Sequence, residues 1–321
     1  MESALKEKVV VVGFGWVGQA NALALSNFGY DVYYYDVQKP ELRYADTHEE
    51  HYDRITPLSD VTEMDSSDTW YMVCVGDKVS FEGEQDISAI KKALESLKNV
   101  KGGIILRSTI LPGHLEKLNF HYYVPEFLHE RKAVEECMSP QYFILGHRGD
   151  ISREPSFFTQ WKTNASKIYI GTPEEASYIK YLSNIWNALR ISFVNEFGNV
   201  ISYPEDKEKL ADIEKIIDFF FERKAYMRYG RSYSGHCLPK DTHAFLTWYK
   251  KRGKNVPLIE GAHLSNNYHK TIETKYPYLP EWFSEWVRPE PSGRAALKAL
   301  KSSVLRRIKN VFNALQPKNH Q

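Results

Sequence analysis

A short segment in the last third of the sequence brings several reactive side-chain types together. Residues 235–241 read Gly-His-Cys-Leu-Pro-Lys-Asp, and the proline indicates that a helix begins there. A thiol near a helix N-terminus, beside Lys240 and close to His236, is predicted to have a lowered pKa and to form a thiolate. Asp241, four residues after Cys237, can act as a base for water. A buried structural cysteine is the alternative interpretation.

Lys180 and Asn184 form a second candidate pair, because a spacing of four residues places them on one face of a helix. Apolar residues surround both positions in the sequence. An amine and an amide on one helix face can bind an alkoxide, a carbonyl oxygen or a water molecule. The alternative is a lysine whose stem lies along apolar surface, with an asparagine at the polar edge of the helix.

Further polar residues follow two predicted strands, Ile104–Leu106 and Tyr122–Val124. Thr109 comes shortly after the first strand, and Glu126 and Glu130 come after the second. In an open parallel sheet, residues just past the carboxyl ends of the strands line the ligand crevice. We therefore expect these three side chains to reach a substrate, although helix capping and surface charge would also explain them.

A glycine-rich segment follows the predicted strand Val9–Val12 and opens a helix. Gly13 permits a tight turn, Gly15 lets the backbone approach a diphosphate, and Gly18 allows close packing of helix on strand. The next predicted strand ends at Asp36. A carboxylate at that position can bind both ribose hydroxyls and repels a 2′-phosphate, so the sequence predicts NAD rather than NADP as the cofactor.

The elements that position these residues follow from the pattern of apolar runs. Strand–helix alternation in the first half predicts an α/β fold with a Rossmann-like, doubly wound parallel sheet. The predicted strands are Val9–Val12, Val32–Tyr35, Trp70–Val75, Ile104–Leu106, Tyr122–Val124 and Tyr142–Leu145.

The pattern changes at residues 172–175, Thr-Pro-Glu-Glu, which combine a helix cap, a first-turn proline and a capping-box glutamate. We expect an NAD-binding domain over residues 1–171 and a mostly helical domain, which carries Cys237, over residues 172–275. Helices are predicted from 172 to about 202 and over Lys207–Phe221, Pro239–Lys251 and Pro257–Thr271.

The composition excludes several classes of protein. The 321 residues include 42 lysines and arginines and 41 aspartates and glutamates, and this balance does not suit a globally basic nucleic-acid-binding protein. Three scattered cysteines predict neither a disulfide framework nor a metal cluster. The uncharged stretch Val9–Tyr30 has the length of a membrane span, but its glycines and amides favour a buried strand and helix. We expect a cytoplasmic protein without nucleic-acid partners.

The end of the chain differs in charge from the rest. Residues 292–321 contain seven lysines and arginines and no acidic residue, whereas the remaining residues have a net negative charge. After a linker over residues 276–291, this segment predicts a basic amphipathic helix that packs on the body or joins subunits. Binding to an anionic membrane surface is the less favoured alternative. One helical face carries Leu297, Leu300, Val304, Ile308, Val311 and Leu315.

Five stretches in one order carry a resemblance to a known family: GFGWVG, RSTILPG, PEFLHE, a helix containing KYLSN, and CLPKDT. Together they resemble the UDP-glucose/GDP-mannose dehydrogenase family over residues 8–270. The resemblance implies an enzyme that uses two NAD molecules in succession to oxidise the C6 alcohol of a nucleotide sugar to a carboxylate, as a UDP-glucose 6-dehydrogenase does. It also implies a homodimer formed through the central helices.

The resemblance implies a role for most of the candidate side chains. Cys237 would add to the aldehyde as a thiohemiacetal, which is oxidised to a thioester and then hydrolysed. Lys180 and Asn184 would stabilise charge on oxygen. Asp241, with a water molecule held by Thr109, would supply the general base.

The same resemblance implies the remaining site residues. Glu130 would assist hydrolysis of the thioester. The substrate-binding residues would be Glu126, Phe127, Leu128, Gly235 and Lys240. The cofactor-binding residues would be Gly13, Phe14, Gly15, Trp16, Val17, Gly18, Asp36, Val75 and Thr109.

Several features depart from the usual family pattern. The family normally has a third domain that binds the nucleotide diphosphate, and we expect this sequence to lack it. The cysteine loop keeps only Gly235 of the usual paired glycines, and residues 77–78 are Asp-Lys where the family has Thr-Pro. Two alternatives therefore stay open: a two-electron dehydrogenase of the β-hydroxyacid type, and a non-catalytic protein that binds NAD or a sugar.

Overall fold

The computed structural model describes residues 7–129, 132–149 and 153–281. Up to Gly171 the chain alternates strands and helices, as the sequence predicts. The strands are β1 (Lys8–Val12), β2 (Asp31–Tyr35), β3 (Ile55–Pro57), β4 (Thr69–Val73), β5 (Lys78–Val79), β6 (Gln85–Asp86), β7 (Gly103–Leu106), β8 (Tyr122–Tyr123), β9 (Tyr142–His147) and β10 (Lys167–Gly171). The helices of this part are α1 (Trp16–Asn27), α2 (Ala45–Tyr52), α3 (Ser88–Ser96), α4 (Pro112–Leu115), α5 (Ala133–Met138) and α6 (Phe157–Asn164).

Eight strands form one sheet in the order β10-β9-β8-β7-β4-β1-β2-β3. Neighbouring strands are parallel except β8 and β9, which pair in antiparallel fashion with Tyr122 opposite His147. The predicted Rossmann-like α/β fold is confirmed; its sheet is mostly parallel, and the pair of β8 and β9 is the exception within the described residues. Because β1, β4, β7 and β8 run in the same direction, their carboxyl ends meet at one edge of the sheet.

Strand β1 shows why helices cover both faces of the sheet. Val9 and Val11 belong to one buried cluster, with side chains of α1, and Val10 and Val12 belong to another, with Ile90 of α3. Successive side chains of a strand point to opposite faces, so an unbroken run of valines requires apolar cover on both sides. The two clusters are the core of the first part of the chain.

The second part is helical, as predicted. Its helices are α7 (Pro173–Ile201), α8 (Lys207–Phe221), α9 (Cys237–Lys250) and α10 (Pro257–Lys275). The predicted capping box is confirmed, because Thr172 Oγ1 accepts the Glu175 N–H and Glu175 Oε2 accepts the Thr172 N–H. Helices α9 and α10 both pack against α7, so α7 is the axis of this part.

Several elements differ from the sequence prediction. The edge strands β3 and β10 and the short hairpin of β5 and β6 were not predicted, because none of them contains a long buried apolar run. Helix α9 begins at Cys237, two residues before the predicted start, and α10 extends to Lys275. The predicted basic tail helix lies outside the described residues. Among the described helices, none has the length and apolar composition needed to cross a membrane.

Candidate active site

The glycine-rich segment turns sharply between β1 and α1. Gly13 has a φ of +89°, which favours glycine, and a side chain on Gly18 would lie 2.0 Å from the carbonyl oxygen of Gly13. A side chain on Gly15 would meet nothing within 4 Å. Gly13 therefore turns the chain, Gly18 lets the helix pack on the strand, and Gly15 leaves open space over the backbone.

This open space lies at the N-terminus of α1, where no described side chain caps the first turn. Unpaired backbone N–H groups at a helix N-terminus attract anions, and the partial positive charge of the helix adds to that attraction. The backbone and the open space over Gly15 therefore fit the diphosphate of a dinucleotide.

Asp36 lies beside the glycine turn, at the carboxyl end of β2. Its Oδ2 atom accepts the Phe14 N–H at 2.6 Å, and its Oδ1 atom accepts the Gln38 N–H at 2.9 Å. These two bonds fix the plane of the carboxylate across the crevice. Each oxygen of this carboxylate can accept a further hydrogen bond. Asp36 therefore suits the ribose hydroxyls of NAD.

The other predicted cofactor residues take different positions. Phe14 is buried and stacks on Tyr34 at a centroid distance of 3.8 Å, so its side chain belongs to the core and its backbone lies at the crevice. Trp16 is partly exposed at the first turn of α1. Val17 also lies in that turn and is half-buried. Val75 packs against Gly13 from the loop after β4.

Lys180 and Glu126 form a buried ion pair beside this crevice. Lys180 Nζ donates to Glu126 Oε1 at 3.1 Å, and Glu126 Oε2 accepts the Leu128 N–H at 2.8 Å. Burial disfavours the charge on Glu126, but Lys180 and the Leu128 N–H outweigh it and lower the pKa of Glu126. Burial likewise disfavours the charge on Lys180, and the nearby carboxylates outweigh it and raise the pKa of Lys180. Both groups are therefore ionised at neutral pH.

A second buried network joins α7 to α9. Asn184 Nδ2 donates to Asp241 Oδ2 at 2.6 Å, and Lys240 Nζ donates to Asp241 Oδ1 at 2.6 Å. Asp241 is 1% exposed. Each of its oxygens thus has a donor from a different helix, which fixes its orientation.

Cys237 is the first residue of α9; the residue is exposed at the surface, but the surrounding protein atoms remove much of the water around its thiol. Loss of hydration and the negative charge of Glu126 raise the pKa of the Cys237 thiol to about 12, although Lys180 and Lys240 act in the opposite direction. The prediction of a lowered pKa is wrong, because loss of hydration and the carboxylates of Glu126 and Asp241 outweigh the ammonium groups of Lys180 and Lys240. The thiol is protonated, and its proton must leave when sulfur attacks carbon.

The remaining predicted residues lie close to these networks. Thr109 follows β7 and is half-buried, and its carbonyl oxygen accepts from Gln85 Nε2 at 3.2 Å. The ring of Phe127 lies 5.2 Å from Lys180 Nζ. Gly235 has a φ of +77°, and a side chain there would meet nothing within 4 Å. Glu130 lies outside the described residues. The structure thus brings Cys237, Lys180, Asn184, Asp241 and Glu126 together, and their roles stay predictions.

Two polar residues of the site, the buried Asp77 and the half-buried Gln85, were missed in the sequence. Lys240 Nζ donates to Asp77 Oδ1 at 2.7 Å and Oδ2 at 2.9 Å, and Gln85 Nε2 donates to Asp77 Oδ2 at 2.7 Å. Asp77 follows β4 at the same edge of the sheet as Thr109. Its position after a strand end was therefore a usable signal, whereas nothing in the sequence pairs Gln85 with it.

Comparison with known proteins gives this arrangement a family. The model of the NAD binding domain of the UDP-glucose/GDP-mannose dehydrogenase family matches residues 7–169, and that of the central domain matches residues 174–268. The chain belongs to this family, and its cofactor is NAD, as the sequence predicts.

Similar proteins include GDP-mannose 6-dehydrogenase of Pseudomonas syringae pv. tomato, 24% identical over 306 residues that cover 81% of this chain and 68% of the relative. UDP-glucose 6-dehydrogenase TuaD of Bacillus subtilis is 27% identical over 296 residues, which cover 80% of this chain and 62% of the relative. The chain thus spans about two thirds of the length of these relatives.

Solved structures show the same fold. A UDP-glucose dehydrogenase of Pyrobaculum islandicum matches with a TM-score of 0.70 at 24% identity, covering 84% of this chain and 69% of that chain. A UDP-D-ManNAc dehydrogenase of Pyrococcus horikoshii matches with a TM-score of 0.66 at 19% identity, covering 83% of this chain and 70% of that chain.

Proposed function

We propose that this chain oxidises the C6 alcohol of a nucleotide sugar to the carboxylate, in two NAD-dependent steps that pass through a covalent intermediate on Cys237. The observation that carries the proposal is the convergence of an exposed thiol, a charged lysine and an oriented carboxylate at the edge of the sheet that also holds the dinucleotide crevice. UDP-glucose is the first substrate to test, because a UDP-glucose 6-dehydrogenase is among the relatives.

The side chains of the site divide the chemistry as follows. Gly13, Gly15 and Asp36 would hold NAD, which would supply the hydride acceptor for each of the two oxidations. Lys180, held ionised by Glu126, donates a hydrogen bond to the C6 oxygen and stabilises its developing negative charge. Asn184 Nδ2 carries two N–H groups, so it can donate to the same oxygen while it also donates to Asp241 Oδ2.

The covalent step forms a bond between the sulfur of Cys237 and C6 of the aldehyde. The thiol loses its proton to the carbonyl oxygen through the neighbouring polar groups, which gives a thiohemiacetal. The thiohemiacetal would become a thioester by losing a hydride to NAD and its hydroxyl proton to solvent. A water molecule then attacks the thioester carbon, and Asp241 takes a proton from that water and passes it to the leaving sulfur. The carbon–sulfur bond breaks to give the free thiol and a carboxylic acid, which ionises to the carboxylate.

The test is the number of NADH molecules released per substrate molecule, measured with UDP-glucose, GDP-mannose and UDP-N-acetylmannosamine. We expect two NADH per molecule of the true substrate. Cys237→Ala should abolish the complete reaction, and Cys137→Ala, which removes a buried thiol elsewhere, should keep the ratio of two. One NADH per substrate, unchanged in Cys237→Ala, would instead indicate a two-electron dehydrogenase. NAD binding without turnover of any nucleotide sugar would indicate a non-catalytic protein.

We also propose that two copies of the chain associate through α7 and α10. A groove between these helices exposes large apolar side chains that include Phe193, Phe197, Val200, Leu258 and Leu264. Such a continuous apolar surface is typical of an interface between subunits. Sedimentation velocity should give a dimer mass for the unaltered chain and a monomer mass for Phe193→Glu, whereas a monomer mass for the unaltered chain would refute the proposal.

A further inference from the structure

A buried ammonium group lies between two carboxylates that come from different parts of the fold. Lys240 Nζ, on α9, is 2.6 Å from Asp241 Oδ1 and 2.7 Å from Asp77 Oδ1. The side chains of Asp77, Lys240 and Asp241 are 5%, 11% and 1% exposed. A charged group with so little exposure requires partners of opposite charge, so the contacts with the two carboxylates fix the position of the Lys240 ammonium.

Asp77 is itself held in place by a hairpin that closes over the end of the sheet. Gln85, on the second strand of the hairpin, donates to Asp77 Oδ2 at 2.7 Å and to the carbonyl oxygen of Thr109 at 3.2 Å. Gln85 Oε1 accepts the Leu111 N–H at 2.9 Å. One glutamine therefore fastens Asp77 to the loop that follows β7, on which the predicted water-binding threonine lies.

The hairpin also contacts α9 along its length. Thr247 Oγ1 donates to the carbonyl oxygen of Glu82 at 3.2 Å, and Lys251 forms an ion pair with Glu84. Gly83 lies so close to α9 that a side chain there would be 2.1 Å from Thr247 Oγ1. The position of Asp77 relative to Lys240 is therefore fixed by contacts on both sides of the ion pair.

We infer that Asp77 is a positioning residue for the oxidation: its carboxylate fixes the Lys240 ammonium, and Lys240 in turn fixes the Asp241 carboxylate against Asn184. The inference rests on the proposed function, because it assigns Asp77 an effect on the reaction that Asp241 serves. Asp77 acts through Lys240, whose Nζ atom contacts both carboxylates. Without Asp77, Lys240 keeps one carboxylate partner and is free to rotate about it.

The first test is Asp77→Asn, which keeps the shape of the side chain and removes its charge. We expect kcat to fall about 10- to 100-fold, as is typical when a catalytic group is displaced by about 1 Å, while KM for the nucleotide sugar changes less than about 3-fold. Asp86→Asn, the same change on the exposed side of the hairpin, is the matched control and should keep kcat. Asp77→Glu keeps the charge, so it tests the position alone and should give an intermediate kcat even if Asp77→Asn does not fold.

A double-mutant cycle tests whether Asp77 acts through Lys240. Lys240→Met removes the ammonium and leaves two buried carboxylates next to each other. Adding Asp77→Asn to that variant should cause no further loss of kcat, because the route from Asp77 to Asp241 is already broken. A loss of kcat that is equal in the two backgrounds would overturn the inference.

A measurement without substrate separates this inference from the proposed function. The rate of alkylation of Cys237 by iodoacetamide, followed by mass spectrometry of its peptide, reports the thiolate fraction. The charged groups around the thiol are Glu126, Lys180, Asp241 and Lys240. Asp77→Asn removes a negative charge that neutralises Lys240, so the pH at which the alkylation rate reaches half its maximum should be lower in the variant than in the unaltered protein.

The combined outcomes distinguish the two failures. If the unaltered protein oxidises no nucleotide sugar but the alkylation profile of Asp77→Asn shifts, the proposed function fails and the link from Asp77 to Lys240 holds. If the unaltered protein is active and Asp77→Asn matches it in both kcat and alkylation, the inference about Asp77 fails and the proposed function stands.

Discussion

The dinucleotide crevice and a cluster of charged side chains lie at the same edge of one sheet, but the chain builds them in different ways. The cluster consists of Asp77, Glu126, Lys180, Lys240 and Asp241. The crevice is local: the bond from Phe14 to Asp36 joins residues 22 positions apart, and its main contacts are backbone groups. The cluster is assembled from distant segments, because Lys180 and Glu126 are 54 positions apart and Lys240 and Asp77 are 163 positions apart. Its main contacts are between charged side chains.

Because of this difference, we expect substitutions to impair the two sites in different ways. Backbone groups cannot be removed by substitution, so the crevice is damaged by adding atoms. The cluster contains buried charges whose partners hold them ionised, so it is damaged by removing one partner. The following predictions use this contrast, and the largest expected effect comes first.

Lys180→Met should damage the cluster and leave the crevice intact. It leaves Glu126 buried without its ammonium partner, which we expect to cost about 3–5 kcal/mol of the free energy of unfolding. It also removes the predicted donor to the substrate oxygen, so kcat should fall at least about 1000-fold. Urea unfolding and steady-state kinetics measure the two effects. Lys98→Met, which breaks a pair at the surface, should change stability by less than about 1 kcal/mol. If Lys180→Met weakened NAD binding by the same factor as it lowered kcat, the separation of the two sites would be contradicted.

Gly18→Ala and Gly15→Ala form a matched pair within the crevice. The new methyl group of Gly18→Ala would lie 2.0 Å from the carbonyl oxygen of Gly13, so we expect a loss of about 1–3 kcal/mol in stability. The methyl group of Gly15→Ala meets open space, so stability should change by less than about 0.5 kcal/mol while NAD affinity falls. Thermal unfolding and titration with NAD distinguish them. Equal losses of stability in both variants would refute the assigned roles.

Asp36→Asn should weaken NAD binding without affecting the chemical step. Loss of the charge that binds the ribose hydroxyls is expected to raise the Kd for NAD about 10-fold and to narrow the preference for NAD over NADP. At saturating NAD, kcat should stay the same because the cluster is untouched. Fluorescence titration and kinetics with both cofactors provide the measurement, and an unchanged cofactor preference would count against the role of Asp36.

The smallest expected effect concerns His129, which lies three residues after Glu126 in the segment that follows β8. A hydrogen bond from its ring to Glu136 raises the pKa of His129, although burial opposes this shift. A raised pKa in the folded state means that the stabilisation is complete below the unfolded pKa of about 6.5 and is lost as pH rises through the folded pKa.

His129→Gln tests this pH dependence. The difference in Tm between the unaltered protein and the variant should be largest near pH 5, about 1–2 °C, and should shrink as the pH rises. A difference that grows with pH would have the wrong sign. NAD affinity should not change, because the His129 ring contacts Glu136 and Tyr226 and not the glycine turn.

Much of the fold was predictable, because its signals are local. The valines of β1, the glycine spacing and the capping box at Thr172 each act through neighbouring residues, and all three are confirmed. The antiparallel pairing of β9 was not predictable, because the direction of a strand depends on its partner and not on its own residues. The same holds for the hairpin that carries Gln85, which has only two residues in each strand.

The sequence by itself determined the residue types: a thiol, two lysines, an amide and several carboxylates at the ends of predicted strands and helices. Only the tertiary structure decided which charges meet. It placed Glu126 against Lys180 and shared Lys240 between Asp77 and Asp241. Loss of hydration, together with the negative charge of Glu126, raised the pKa of the Cys237 thiol, where the helix N-terminus and the neighbouring Lys240 predicted the opposite. The physical reason is that electrostatic energy depends on distances and hydration in the folded chain, and neither is encoded by spacing along the sequence.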